Sequence, residues 1–246
     1  MKHWRAVLLA AVLLAIAAAL QWPVKSLRPS SAPALAEGTL AAVGGLRSIA
    51  AEIIWFRADR LQEEGRYVEL AQLAGLLTRM EPHTPEVWGY AAWNLAFNIS
   101  VMMATPEDRW RWVHSAIQLL RDDGIRLNPR SAALCRELAW LFELKLAADV
   151  DTAAPVYREK WKKIVEDVKA RNAWSELSMD PAKMLRIEKL SRLDDWTDPS
   201  LSAIYWAMEG LQFAKDGDKA FLMNIIRQSD AIYRRRHGLL KKEDKK

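Results

Sequence analysis

The segment Gly65-Arg66-Tyr67-Val68-Glu69-Leu70-Ala71-Gln72-Leu73-Ala74, running on to Met80-Glu81-Pro82, decides how this chain reads. Before it, Ile49 to Glu63 carries Ile49, Ile53, Ile54, Phe56 and Leu61 at helical spacing, an expected apolar side. Gly65 breaks that helix. Tyr67 to Met80 then forms a return helix with Leu70, Leu73, Ala74 and Leu77 on one face. Pro82 ends it, because proline disfavours the helical conformation of the residue before it. A second round starts at Pro85-Glu86-Val87-Trp88 and closes on Leu127-Asn128-Pro129.

The same reading extends outward. Thr105 is a candidate N-cap, Pro106 suits the first helical position, and Glu107 and Asp108 complement the helix dipole. That helix, holding Arg109-Trp110-Arg111-Trp112, runs to about Arg126. Ser131 to Ala148 follows, with Leu134, Leu138, Leu141 and Phe142 inward. Pro155 to Trp174 carries the stripe Tyr157, Trp161, Ile164, Val165 and Val168. Met179-Asp180-Pro181 opens a shorter helix, and Asp194 to Pro199 is a loop. Ser200–Lys215 and Asp218–Arg236 make a final hairpin around a turn at Gly217. Alternating apolar runs are absent and Ala, Leu, Glu, Lys and Arg dominate, so the expected class is all-α. With 246 residues, 51 % of them hydrophobic, the chain can bury a sizeable core. The twelve tryptophans recur among the hairpins and read as wedges between helices.

Gly65, Tyr67 and Pro82 resemble the turn glycine, aromatic and closing proline of a tetratricopeptide repeat. The resemblance places repeat starts at Ala51, Pro85 and Ala132. Ala58, Ala92 and Ala139 then fall where paired helices cross most closely, Trp88 takes the first-helix tryptophan position, and Ala92-Trp93 and Ala139-Trp140 echo each other. The match covers about residues 51–171 and is degenerate. Leu70 and Gly124 stand where alanine is usual, and 47 residues separate Pro82 from Pro129 rather than the repeat's 34. The extra residues fall near Asn98 to Pro106, lengthening a helix or adding a loop. The resemblance implies a stack of helical hairpins, an α-solenoid, whose first helices line a groove for a protein or peptide partner. In that register Trp93 and Trp140 lie on the groove side, with Glu86, Asn94 and Arg136 near them.

Lys2, His3 and Arg5 precede an unbroken apolar run, Ala6 to Leu20, flanked by Trp4 and Trp22. Residues 1–22 read as a signal anchor or transmembrane helix, with membrane contact through residues 4–22. Ala32-Pro33-Ala34 and Ala34-Leu35-Ala36 have the form of cleavage sites but lie far beyond Leu20. A short basic head favours a head-in orientation, which places the helical body outside the cytoplasm, on the periplasmic side. The expected layout is a flexible tether over 23–45, repeats over 46–174, a C-terminal helical cap over 175–237 and a basic disordered tail over 238–246.

The net charge of +5 lies entirely between Arg234 and Lys246, so the body is neutral. That argues against a nucleic-acid surface and leaves anionic lipid or nucleic acid at the basic end as an alternative function. Trp110 and Trp112 lie about 200° apart on a helix and cannot form one stacking platform. The single Cys135 reads as a buried structural thiol. The four histidines, His3, His83, His114 and His237, are scattered without metal-ligand spacing, and no phosphate loop, dinucleotide fingerprint or nucleophile elbow occurs. The expectation is a membrane-anchored scaffold with no catalytic residue, no cofactor and no metal, whose partner is a protein or peptide.

Overall fold

A computed structural model describes residues 50–239, and all regular structure among them is helical. The apolar run at 6–20, the tether and the end of the basic tail lie outside the described residues. No helix among the described residues is long and apolar enough to cross a membrane. Helix α1 spans 50–63 and α2 spans Tyr67–Met80. Gly65 joins them at φ +70°, a left-handed position that glycine adopts without strain. Helix α3, Pro85–Trp93, continues through a wide π-helical turn, Asn94–Ile99, into Ser100–Met102. The extra residues of the second round therefore lengthen its first helix. Helix α4, Pro106–Gln118, and α5, Ala132–Leu141, run into π turns of their own, Leu119–Ile125 and Phe142–Ala147. Helix α6 is Ala154–Ala170, followed by a separate 3₁₀ turn at Trp174–Leu177. The chain then forms α7 (Pro181–Ser191), α8 (Pro199–Leu211) and α9 (Asp216–Arg236).

Helix starts follow local chemistry. Thr105 Oγ1 accepts from Asp108 N at 3.1 Å, Ser131 Oγ from Leu134 N at 3.2 Å, Asp180 Oδ1 from Ala182 N at 2.8 Å and Asp198 Oδ1 from Ser200 N at 2.9 Å. Two expected boundaries shift. Helix α6 ends before Trp174, where Asn172 turns left-handed at φ 52°. Gly217 lies inside α9, whose first turn carries Asp216 and Asp218 against the dipole, and the hairpin turn falls earlier.

Helices α1, α3, α5 and α8 pack side by side in that order. Trp55 of α1 meets Tyr90 of α3 edge-on at 5.0 Å, and Tyr90 Oη donates to Gln62 Oε1 at 2.9 Å. Helix α3 packs on α5, and α5 on α8. Helix α8 is the most deeply enclosed element, with Leu201, Ser202, Ala203, Ile204, Tyr205, Trp206 and Ala207 all buried between α5 and α9. One hydrophobic cluster runs from Trp88 to Tyr233 and includes Ala92, Ala139, Trp161, Trp174 and Trp206. Ala58 of α1 is fully buried in a smaller cluster with Leu61 and with Leu70 of α2. Cys135 lies in the larger cluster, and burial pushes its thiol up to about 12.

The expected apolar side of α1 divides. Ile54 and Leu61 pack inward, but Ile53 and Phe56 stay 65 % and 76 % exposed. Ile54 and Leu61 share the helix side of Ala51 and Ala58, while Ile53 and Phe56 fall opposite.

Candidate partner-binding surface

The aromatic residues of the first helices form a ladder across α3 and α5. Trp93 stacks on Phe97 with centroids 6.0 Å apart, and Phe97 stacks on Trp140 at 5.3 Å. All three are half-buried, so each keeps one side covered by protein and offers ring surface to solvent. Gly89, Ala92, Leu120, Glu137 and Leu141 complete the lining. The cavity between the rings is about 10 Å³, room for at most one water, so the ladder is a surface rather than a deep pocket.

Small residues set this arrangement. Gly89 and buried Ala92 line the α3 side of the seam, and a Cβ at Gly89 would stand 3.3 Å from the Glu137 side chain, so α3 and α5 approach closely beside Trp93 and Trp140. Phe97, one turn after Trp93 and inside the wide turn beginning at Asn94, lies between the two tryptophans. Asn94 is fully buried. Its amide donates to Tyr67 O at 3.3 Å and its Oδ1 accepts from Asn98 Nδ2 at 3.0 Å, so it holds α3 against the start of α2.

A buried cation lies under the ladder. Lys145 Nζ sits 4.8 Å from the Phe97 ring centroid and 2.8 Å from Asp151 Oδ2. Both side chains are almost wholly enclosed. Asp151 also accepts from Ala153 N at 2.9 Å and Tyr157 Oη at 3.3 Å. Burial pushes its carboxyl up, but Lys145 and the Ala153 amide outweigh that and hold it below its ordinary value.

The rim is polar. Glu86 is exposed in the first turn of α3, on the same helical stripe as Tyr90 and Trp93. Arg136 is half-buried, forms ion pairs with Glu137 and with Asp218 of α9, and lies 5.8 Å over the Phe221 ring. Of the residues expected at a groove, the structure links Trp93 and Trp140 through Phe97, buries Asn94 against the start of α2, leaves Glu86 exposed and ties Arg136 to α9. Sequence reading missed Phe97, Lys145 and Asp151. Phe97 stands one turn after Trp93, a signal at ordinary helical spacing. Lys145 and Asp151 meet through a π turn and a loop, which no spacing in the sequence announces.

The Arg-Trp alternation of α4 resolves into packing. Trp110 is buried against His114 at 5.1 Å and Tyr157 at 6.0 Å, while Trp112 is half-buried. His114 is held below its ordinary value, first by burial and then by Arg121. At the basic end, Arg234 bonds Asp230 and Ser191 O, and Arg236 bonds Asp198 and Ala147 O, so two of the basic residues are part of the fold. Among the described residues no group of three or more His, Cys, Asp or Glu side chains could hold a metal ion. Comparison with protein-family models, curated protein sequences and solved structures finds no match to this chain.

Proposed function

We propose that this chain is a membrane-anchored scaffold of tetratricopeptide-like helical hairpins that holds a protein or peptide partner on the surface of its first helices, as part of an envelope-associated complex. Helices α1, α3, α5 and α8 serve as the first helices of successive hairpins, and α7 is an insertion before the last. The observation that carries the reading is the partly exposed ladder Trp93–Phe97–Trp140, built across two adjacent first helices. Large aromatic rings left partly in water forgo burial that a partner can supply, and aromatic residues are among the groups that dominate binding energy at protein interfaces. Glu86 and Arg136 supply a polar border that fixes register. The anchor at residues 4–22 holds the body at the membrane, facing the periplasm.

The alternative, binding of anionic lipid or nucleic acid through the basic end, draws on fewer free cations because Arg234 and Arg236 are engaged by the body. No cofactor enters the proposal. The discriminating experiment compares full-length protein with Trp93→Ala and Trp140→Ala in native membranes. Loss of a defined crosslinked partner with unchanged circular dichroism supports the scaffold. Unfolding of both variants, or unchanged capture, refutes a binding role for the ladder.

A further inference from the structure

The outer face of α1 carries a pattern that matches itself. The helix turns Ala51, Ile54, Ala58 and Leu61 inward. On the opposite side Glu52, Phe56 and Arg60 follow one another at four-residue steps and form one stripe, with Ile53 beside Phe56. All four are exposed, Phe56 at 76 % and Ile53 at 65 %. Glu52 and Arg60 make no ion pair within the described residues. Among the described residues α1 is the first of the row α1–α3–α5–α8. Terminal units of stacked helical arrays normally present a polar outer face, and this one is apolar at its centre.

We propose that α1 pairs antiparallel with α1 of a second copy, around a two-fold axis through Phe56. In that arrangement residue 52 of one copy lies opposite residue 60 of the other. Glu52 then faces Arg60 of the second copy, Arg60 faces its Glu52, and the Phe56 and Ile53 side chains of both copies meet in the middle. A two-fold contact must be self-complementary, and acid at one end with base at the other is the simplest way to achieve it. Parallel pairing would set acid against acid and base against base. The stripe's equal charges also make a poor match to an anionic lipid surface, which would ask for a basic face. A helix of this length is about 20 Å long, so the contact lies below the size of permanent dimers and the association is concentration-dependent.

Charge reversal in full-length detergent-solubilised protein, with mass measured by light scattering, tests the pairing. Glu52→Arg alone and Arg60→Glu alone each weaken dimerisation about tenfold or more, because each replaces two attractions with two repulsions. Glu52→Arg with Arg60→Glu restores it, since the swapped stripe is again self-complementary. That restoration also shows that the single variants fold. Phe56→Cys forms a disulfide-linked dimer under mild oxidation, while the buried Cys135 of the unaltered chain and a control Arg227→Cys on α9 do not. A monomer at all concentrations, equal behaviour of the single and double charge variants, or crosslinking of the Phe56→Cys variant only to another protein or to lipid-reactive probes would overturn the proposal.

Discussion

Trp88 leaves no room for a side chain at position 124. A Cβ at Gly124 would stand 3.3 Å from both Cβ and Cγ of Trp88, and the indole cannot swing aside because its Nε1 donates to Pro82 O at 2.9 Å. The same carbonyl accepts from Asn128 Nδ2 at 2.9 Å, so one turn locks two helix ends. Gly124→Ala is therefore expected to lower stability by about 1–3 kcal/mol through overpacking, despite alanine's better helix propensity. Gly75 has nothing within 4 Å of its Cβ direction, and Gly75→Ala should raise stability by about 0.5–1 kcal/mol. Urea unfolding of the two variants, one down and one up, checks the pair. Glu143 offers a second residue-level test. It is buried at the wide turn of α5, and burial pushes its carboxyl up to about 7. In the unfolded chain it titrates at an ordinary carboxylate value. Below that value both states are protonated, and above about 7 both are charged, so its burial cost develops as pH rises between the two and is full above 7. Glu143→Gln should stabilise the protein at pH 8, by up to about 3 kcal/mol, and have little effect at pH 4. Denaturant midpoints at the two pH values decide it.

At the scale of elements, the starts of helices were legible and their interiors less so. Thr105-Pro106, Asp180-Pro181 and Asp198-Pro199 each pair a capping side chain with a proline at the first helical position, and each begins a helix. Thr105→Ala removes the bond to Asp108 N and should cost about 1 kcal/mol, read as a lowered thermal midpoint with native circular dichroism at room temperature. The π turns that close α3, α4 and α5 were not legible, because apolar periodicity over six or seven residues does not separate a wide turn from an α turn. That limit explains why the extra residues of the second round could be read as longer helix or added loop. It also explains the hidden parts of the surface. Trp93 and Trp140 stood out through the repeated Ala-Trp pair. Phe97 was within reach of ordinary helical spacing, one turn after Trp93, whereas Lys145 and Asp151 are brought together by a π turn and a loop. On α1, Ile53 and Phe56 carried the right residue types for a core but sit on the wrong side of the helix, which only the packing of Ala51 and Ala58 against α2 and α3 decides.

Over the described residues, the row α1, α3, α5 and α8 links the fold to the proposed function. It buries α8, leaves the stripe of α1 exposed, and carries the aromatic ladder on α3 and α5. The proposed binding surface lies on α3 and α5, whereas the proposed pairing uses the outer stripe of α1. Variants of Glu52 and Arg60 should therefore leave partner capture at Trp140 intact in a membrane crosslinking assay. The most direct test of the central claim is site-specific photo-crosslinking from position 97 of the full-length protein in native membranes, with the attached residues identified by mass spectrometry. The account predicts one discrete adduct, mapping to a single short segment of one partner, lost in Trp140→Ala and competed by a synthetic peptide of that segment. Adducts scattered over many proteins, or none beyond those from a probe at exposed Leu190 on α7, would contradict it.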